Sequence, residues 1–417
     1  MTSGVSEQMK ATGQTLRLRM GAASIDAEVD LPLPAVWEAT VYPPRDRAAL
    51  TDAGIQKALD NPVGAEPISV AARGARTAVL LVDDFRRPTP AEKLCRFVLA
   101  QLQAAGIPPK QVSIILGNGA HRAMNQREVR NRLGTLCDTV GQVVSHDAYS
   151  PKVTFKGLTS AGTPVLVNEV AAQADFSVSI SCVYPHRLVA WGGGAKMVLP
   201  GITHVSTTHF HHGRLGGGEW GGPPSGSASR RDLEEAADLF GLNVSLCSVI
   251  NSRKELCGLY VGDPTKAHRA AIALARKVGD TPVDNAHPDL IIANAFPFDA
   301  DGTQYTKAQA PALQFGCPVL MLNDFADPSI YHGLYHGPLK QYNQRPALQP
   351  VEHTDELLMK AQVFFYSPQY GKGFVPPDRT WYCDDDWPRL MAAMARRFKQ
   401  AKVAVFPAAP LQIPRVV

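Results

Sequence analysis

Residues 77–84, TAVLLVDD, form a short apolar run that stops on two aspartates. A run of this length between polar residues reads as a strand buried on both faces of a parallel sheet. Residues 90–106, PAEKLCRFVLAQLQAAG, then place apolar side chains at helical spacing, with Pro at the start and Gly at the end. QVSIILGNGAHR (111–122) is a second strand that runs into a loop, and NQREVRNRLG (125–134) a short helix. TPVLVNEV (163–170) and DFSVSISCVYP (175–185) read as further strands. Strands alternating with helices predict a mostly parallel sheet with its functional groups at the carboxyl ends of the strands.

Upstream, RLRMGAASIDAEVDLP (17–32) alternates apolar and polar residues about a small-residue turn, as a hairpin does, and residues 1–14 read as a frayed tail. Downstream, the strand LNVSLCSVIN (242–251) lies between the helices DLEEAADLFG (232–241) and PTKAHRAAIALARKVG (264–279). A second unit opens near residue 281. It holds the strands DLIIANAFPFD (289–299), CPVLMLNDF (317–325), KAQVFFYSP (360–368) and KVAVFP (402–407), with helices at 306–316 and 389–399. The fold class is α/β: two α/β domains with mostly parallel sheets. The expected division is 1–280, 281–400, and a tail 401–417 returning to the first domain.

The 417 residues carry a net charge of +4, and Lys and Arg are scattered, which gives no footprint for nucleic acid. No apolar run approaches a membrane span and residues 1–14 lack the apolar stretch of a secretion signal, so no membrane association is expected. The seven cysteines are widely spaced and include no CxxC pair. They read as free thiols in a reducing, cytoplasmic setting.

Five clusters could carry chemistry. DDFRRPTP (83–90) follows the first strand, and its Arg86 and Arg87 suit an anion because a guanidinium grips carboxylate or phosphate through paired hydrogen bonds. A salt-bridged surface loop reads equally well. GNGAHR (117–122) carries His121 at a strand end. YPHRLVAWGGGAKMVLPG (184–201) carries His186, and Lys196 after Gly192, Gly193 and Gly194, where glycines let backbone approach a bulky ligand. Alone, that lysine could hold phosphate, form a covalent link or be solvated. HVSTTHFHH (204–212) packs four histidines into one helix, with imidazoles that suit nickel, zinc or copper. FPFDADGTQYTKA (296–308) puts Gln304 and Lys307 three residues apart, on one helix face. The Gly-rich stretch 213–228 reads as a linker or a lid.

These clusters, in this order, resemble the nickel-pincer lactate racemase family. The likeness rests on Asp84, Arg87 and Pro88 after a strand and on the loop histidine His121. It continues with Pro185, His186 and Lys196 ten residues on, His212 sixteen further, and the Gln304–Lys307 pair. The resemblance implies a racemase or epimerase of a 2-hydroxy acid, with the active site in the cleft between the domains. It implies a nickel-pincer nucleotide (a pyridinium-3-thioamide-5-thiocarboxylic acid mononucleotide with Ni(II)) attached covalently to Lys196. Asp84, Arg87 and the three glycines would help hold it, and His212 would ligate nickel. His121 and His186 would be the acid/base pair, and Lys307 with Gln304 would receive the substrate carboxylate. Its partners would be the 2-hydroxy acid and the enzymes that make the cofactor and insert nickel. Arg86, Arg187 and the polar DADGT segment suit a substrate longer or more polar than lactate. Two other readings use the same residues. One is a metal-dependent hydrolase built on His209, His211 and His212 with Glu219 as its nearest carboxylate. The other is a non-catalytic metal-binding relative, which retention of both His121 and His186 disfavours.

Overall fold

The structure, a computed structural model, describes residues 15–22, 25–327, 332, 334, 354–370 and 380–417. The tail expected at 1–14 lies outside these residues.

The opening run forms the strand Ala78–Asp83, buried along its whole length. Its side chains alternate between two cores. Leu80 and Val82 pack with Leu94, Val98 and Leu102 of the helix Ala91–Ala104. Val79 and Leu81 pack on the opposite face with Val198, Leu233 and Phe240. Burial on both faces is why the run lacks polar alternation. Its sheet has the order Leu256–Gly262, Val244–Ile250, Phe176–Cys182, Ala78–Asp83, Val112–Gly117, Gln142–Ser145. All neighbours are parallel except the first pair, which is antiparallel. The chain runs outward from Ala78–Asp83 to Gln142–Ser145, then returns to the other side at Phe176–Cys182. That reversal opens a crevice beyond the carboxyl ends of these two central strands, where α/β sheets bind ligands. The strand expected at 163–170 is Pro164–Asn168, which lies outside this sheet in an antiparallel pair with Val153–Leu158.

The second sheet has six parallel strands in the order Tyr382–Asp384, Val363–Tyr366, Val319–Leu322, Leu290–Asn294, Ala401–Phe406, Trp37–Val41. Its direction reverses between Leu290–Asn294 and Ala401–Phe406, so its crevice lies at the ends of those strands.

These pairings cut across the expected division in two places. The hairpin Thr15–Met20 with Ala27–Pro32 buries Leu16, Leu18 and Met20 against Leu290, Ile292 and Leu390 of the second unit, and Trp37–Val41 is an edge strand of the second sheet. Residues 15–41 therefore belong to the second core. Of the expected tail, Ala401–Phe406 is an inner strand of the second sheet, because its run AKVAVF is apolar enough to be buried on both faces. Only the last segment, Ile413–Val416, turns away, pairing with Asp280–Val283.

Candidate functional site

Both crevices face one cluster. Asp83 ends the first central strand and is structural: its carboxylate accepts from Thr89 Oγ1 at 2.6 Å, Arg132 Nη2 at 2.5 Å and the Cys182 amide at 3.1 Å. It thereby ties the two strands that border the crevice.

Arg86 does not reach outward for a ligand. Its buried guanidinium donates through Nη1 to Asp84 Oδ2 at 2.7 Å and through Nε to Asp301 of the second unit. One cation between two carboxylates leaves no surplus positive charge for a substrate, so Arg86 is a tie between the units. The sequence shows the guanidinium but not Asp301, which is 215 residues away. Arg187, the other expected substrate cation, is exposed.

Arg87 supplies the free cation. Its Nη1 donates to Gln304 Oε1 at 3.4 Å, and its guanidinium carbon lies 5.6 Å from the Tyr184 ring centre. Gln304 is fixed by its amide nitrogen, which donates to Asp301 Oδ1 at 3.0 Å and Thr303 Oγ1 at 2.7 Å. Its oxygen also accepts from Lys307 Nζ. Burial, with Arg87 and Lys196 nearby, pushes the Lys307 ammonium well below its usual range. Beside the Arg87 cation Lys307 is thus disfavoured as an ammonium, and an anion bound between the two would restore its charge. The expected helix 306–316 is broken here: Tyr305–Gln309 is α-helical and Ala310–Phe315 is 3-10, since Pro311 supplies no amide for the helical ladder.

His186 and Lys196 touch, with Nε2 to Nζ at 2.7 Å. The Leu188 amide donates to His186 Nδ1 at 3.1 Å, so a neutral His186 carries its proton on Nε2. That proton points at Lys196, whose nitrogen must then offer a lone pair. Burial, reinforced by Arg87 and Arg230, pushes Lys196 well below the usual lysine range, in agreement with a free amine. A buried neutral lysine is a nucleophile.

The glycines before it turn the chain rather than opening a cradle. A Cβ on Gly192 would lie 2.6 Å from Tyr184, and one on Gly193 would lie 2.6 Å from the Cys182 carbonyl at a φ of +78°. The carbonyls of this turn are held from behind. Arg230 Nη1 donates to those of Trp191 and Gly193 at 3.2 and 3.1 Å, and His268 Nε2 to that of Gly192 at 2.9 Å.

His121 follows Val112–Gly117 and is half-buried, with its buried Nδ1 lacking a partner. Its ring meets that of His332 edge-on at 4.8 Å. Burial and Arg86 push it well below the ordinary histidine range, while burial and Lys196 do the same to His186. Arg87 and Lys307 act on both rings, which places the two imidazoles about the same cations. Both are neutral near pH 7, and the unpartnered Nδ1 of His121 can accept a proton.

The four-histidine segment is the helix Val205–Arg214 with His204 as its N-cap. It does not converge on a metal. Among the described residues, no three His, Cys, Asp or Glu side chains could hold one. His211 is fully buried and bonded to the Ser229 carbonyl at 2.8 Å, and Glu219 is exposed. The hydrolase reading therefore loses its ligand set. The Gly-rich stretch is tied down in this structure: Gly218 and Gly221 donate to the Leu188 and Ala190 carbonyls, and Trp220 Nε1 to that of Gln412.

What remains is a single imidazole, His212, close enough to Lys196 to feel its charge, and two unpartnered buried nitrogens, Arg86 Nη2 and His121 Nδ1. This donor set fits a metal that arrives with most of its own ligands on an anionic carrier. Sequence reading missed His332, and it named His211 and the segment holding Asp301 without showing their partners, Ser229 and Arg86, which come from other segments.

Residues 26–219 match the lactate racemase N-terminal domain. The chain is 25% identical over 293 residues to the lactate racemase of Lactiplantibacillus plantarum, covering 68% of each chain. It is 25% identical over 297 residues to that of Thermoanaerobacterium thermosaccharolyticum, covering 67% of each. The structure of the latter organism's lactate racemase apoprotein superposes with a TM-score of 0.70 at 19% identity, over 96% of this chain and all of that one. A Thermotoga maritima protein superposes with a TM-score of 0.62 at 15% identity, over 89% of this chain and all of that one. Over residues 26–219 this chain therefore carries a lactate racemase N-terminal domain, and across most of its length it is similar in sequence and in fold to lactate racemases.

Proposed function

We propose that the chain inverts the C2 centre of a 2-hydroxy acid with a nickel-pincer nucleotide tethered to Lys196 and ligated through His212. The observation that carries this reading is the His186–Lys196 contact. It joins the expected proton carrier to the expected tether and leaves the lysine as a nucleophilic amine.

When bound, the cofactor would supply a hydride acceptor, which avoids the carbanion that deprotonation beside a carboxylate would create. The protein residues do the rest. Arg87 and Lys307 receive the carboxylate, and Gln304 holds Lys307 in place. His121 or His186 takes the hydroxyl proton as the substrate is oxidised and returns it when the centre is rebuilt. Two imidazoles serve both stereoisomers, since each is a base in one direction and an acid in the other. Asp84 keeps Arg86 in its tie to the second unit. The enzymes that build the cofactor and insert nickel are the implied partners.

The substrate class stays at 2-hydroxy acids. Arg86 no longer argues for a second acid group, because Asp84 and Asp301 neutralise it. The side chains of Asp301 and Thr303 are likewise engaged with Arg86, Gln304 and each other, so they do not argue for a polar substituent either. The test is a panel of enantiopure 2-hydroxy acids deuterated at C2, given to enzyme co-produced with the cofactor-making enzymes and nickel. Inversion with the deuterium retained is expected, together with a cofactor-sized mass on the Lys196 peptide that Lys196→Ala removes. Loss of the label to solvent would replace hydride transfer with proton abstraction. Absence of the adduct, beside a relative that carries one, would end the tether reading.

A further inference from the structure

The helix Val205–Arg214 places two adjacent histidines in contact, His211 Nδ1 to His212 Nδ1 at 3.0 Å. Which ring donates is decided one step away. His211 Nε2 lies 2.8 Å from the backbone carbonyl of Ser229, and a carbonyl only accepts. His211 therefore carries a proton on Nε2. The ring is fully buried, and a second proton would leave a buried cation. The nearest carboxylate, Asp232, is 3.9 Å from Nε2. It already accepts from the hydroxyls of Thr159 and Thr163. A neutral His211 has its lone pair on Nδ1, so His212 must donate from its own Nδ1. The Thr208 carbonyl, one turn back, is a second acceptor for the His212 ring. The lone pair of His212 is left on Nε2.

We propose that His211 is the positioning residue of the metal site: it fixes His212 as the Nδ1–H tautomer, so that Nε2 is the nickel donor. This rests on the reading of His212 as the nickel ligand. Metal-bound histidines commonly donate their second ring nitrogen to an outer partner, which orients the ring and raises its basicity. The partner is usually a carboxylate or carbonyl. Here it is a second imidazole, itself oriented by Ser229 and thus by the helix Ala228–Phe240. The arrangement explains a fully buried histidine, and it makes His211 an acceptor behind the ligand and not a second ligand.

The test has two parts. The first is 15N-histidine NMR of the whole chain without metal near neutral pH, assigned with His212→Ala. His212 protonated on Nδ1 and His211 on Nε2 is the expected result; His212 protonated on Nε2 would overturn the proposal. The second is nickel retained on dialysis by cofactor-loaded protein, read by metal analysis, with the Lys196 peptide mass as the loading control. Outer-partner losses commonly weaken metal binding about 10–100-fold. His211→Phe should weaken nickel by that range at unchanged loading. His211→Asn, whose amide oxygen can stand in for the lost acceptor, should recover most of it. Equal nickel in wild type and His211→Phe would sink the positioning role alone. Equal nickel in wild type and His212→Ala would instead sink the ligand reading beneath it.

Discussion

The two halves of the site are built differently. The half on the first sheet is rigid by itself: the Lys196 turn is held by Arg230 and His268, and His212 is backed by His211 and Ser229. All of these belong to the first unit. The half on the second sheet sits on short, broken turns around Gly302–Gln304 and Tyr305–Gln309. There Asp301 and Gln304 are anchored from the first unit, by Arg86 and Arg87. A group that is permanently attached needs a preformed seat. A substrate that must enter and leave is better served by a surface completed only when the two units meet.

The sharpest break of this contrast is Lys196→Ala. It should remove the adduct and lower kcat/KM by at least about 10³-fold while leaving the thermal transition near wild type, as expected for loss of positioned chemistry. A large fall in Tm would show that the first seat is not independently rigid. Next comes Asp301→Asn, which leaves Arg86 half-paired in a buried site. Losing one member of such a group costs about 3–5 kcal/mol. The cost should appear as a lower Tm and, in enzyme that survives, a raised KM with cofactor loading intact. Reduced loading would contradict the division of labour.

Acid separates the halves by sign. His146 in the first unit is bonded to the Thr203 carbonyl at 3.0 Å, and burial pulls its pKa to about 4. Unfolded, it would titrate near 6.5. The unfolded chain therefore binds the extra proton, and about 3 kcal/mol of stability is lost as pH falls from 6.5 through 4. Asp299 in the second unit goes the other way. Burial raises it to about 7 even though the Gly21 and Ala22 amides donate to it. Its folded form holds a proton that the unfolded chain releases near 4, so stability is lost as pH rises from 4 through 7. Hydrogen exchange across this window should show protection rising with pH in the first sheet and falling where the hairpin meets Asp299. Parallel trends would show that the units unfold as one. The smallest effect belongs to Gly193→Ala. Its φ of +78° and the near Cys182 carbonyl imply about 1–3 kcal/mol, read as a lower Tm. Loading should also slow, because the turn aims Lys196.

The sheets were legible wherever a strand is buried on both faces, since Ala78–Asp83 and Leu290–Asn294 announce themselves as apolar runs. Leu256–Gly262 was not, because two glycines interrupt it and it sits at an edge. Trp37–Val41 gave no local signal that its partner is Ala401–Phe406. The site shows the same limit. Its residues were named from local clusters and a family resemblance, but the role of Arg86 depended on Asp301, and that of His211 on Ser229. Sequence displays donors one at a time; only packing shows what each donates to.

The placement of Trp37–Val41 has a consequence for synthesis. This edge strand leaves the ribosome long before its neighbour Ala401–Phe406. Until then the apolar side of the hairpin, Leu16, Leu18 and Met20, has no core to cover. The nascent chain must carry that surface through the making of an entire first unit, so a holding chaperone would matter more here than for a protein whose domains follow one another in order. By the same logic a fragment beginning at residue 281 would be born without its outer strand, and would have an open edge on which copies could pair.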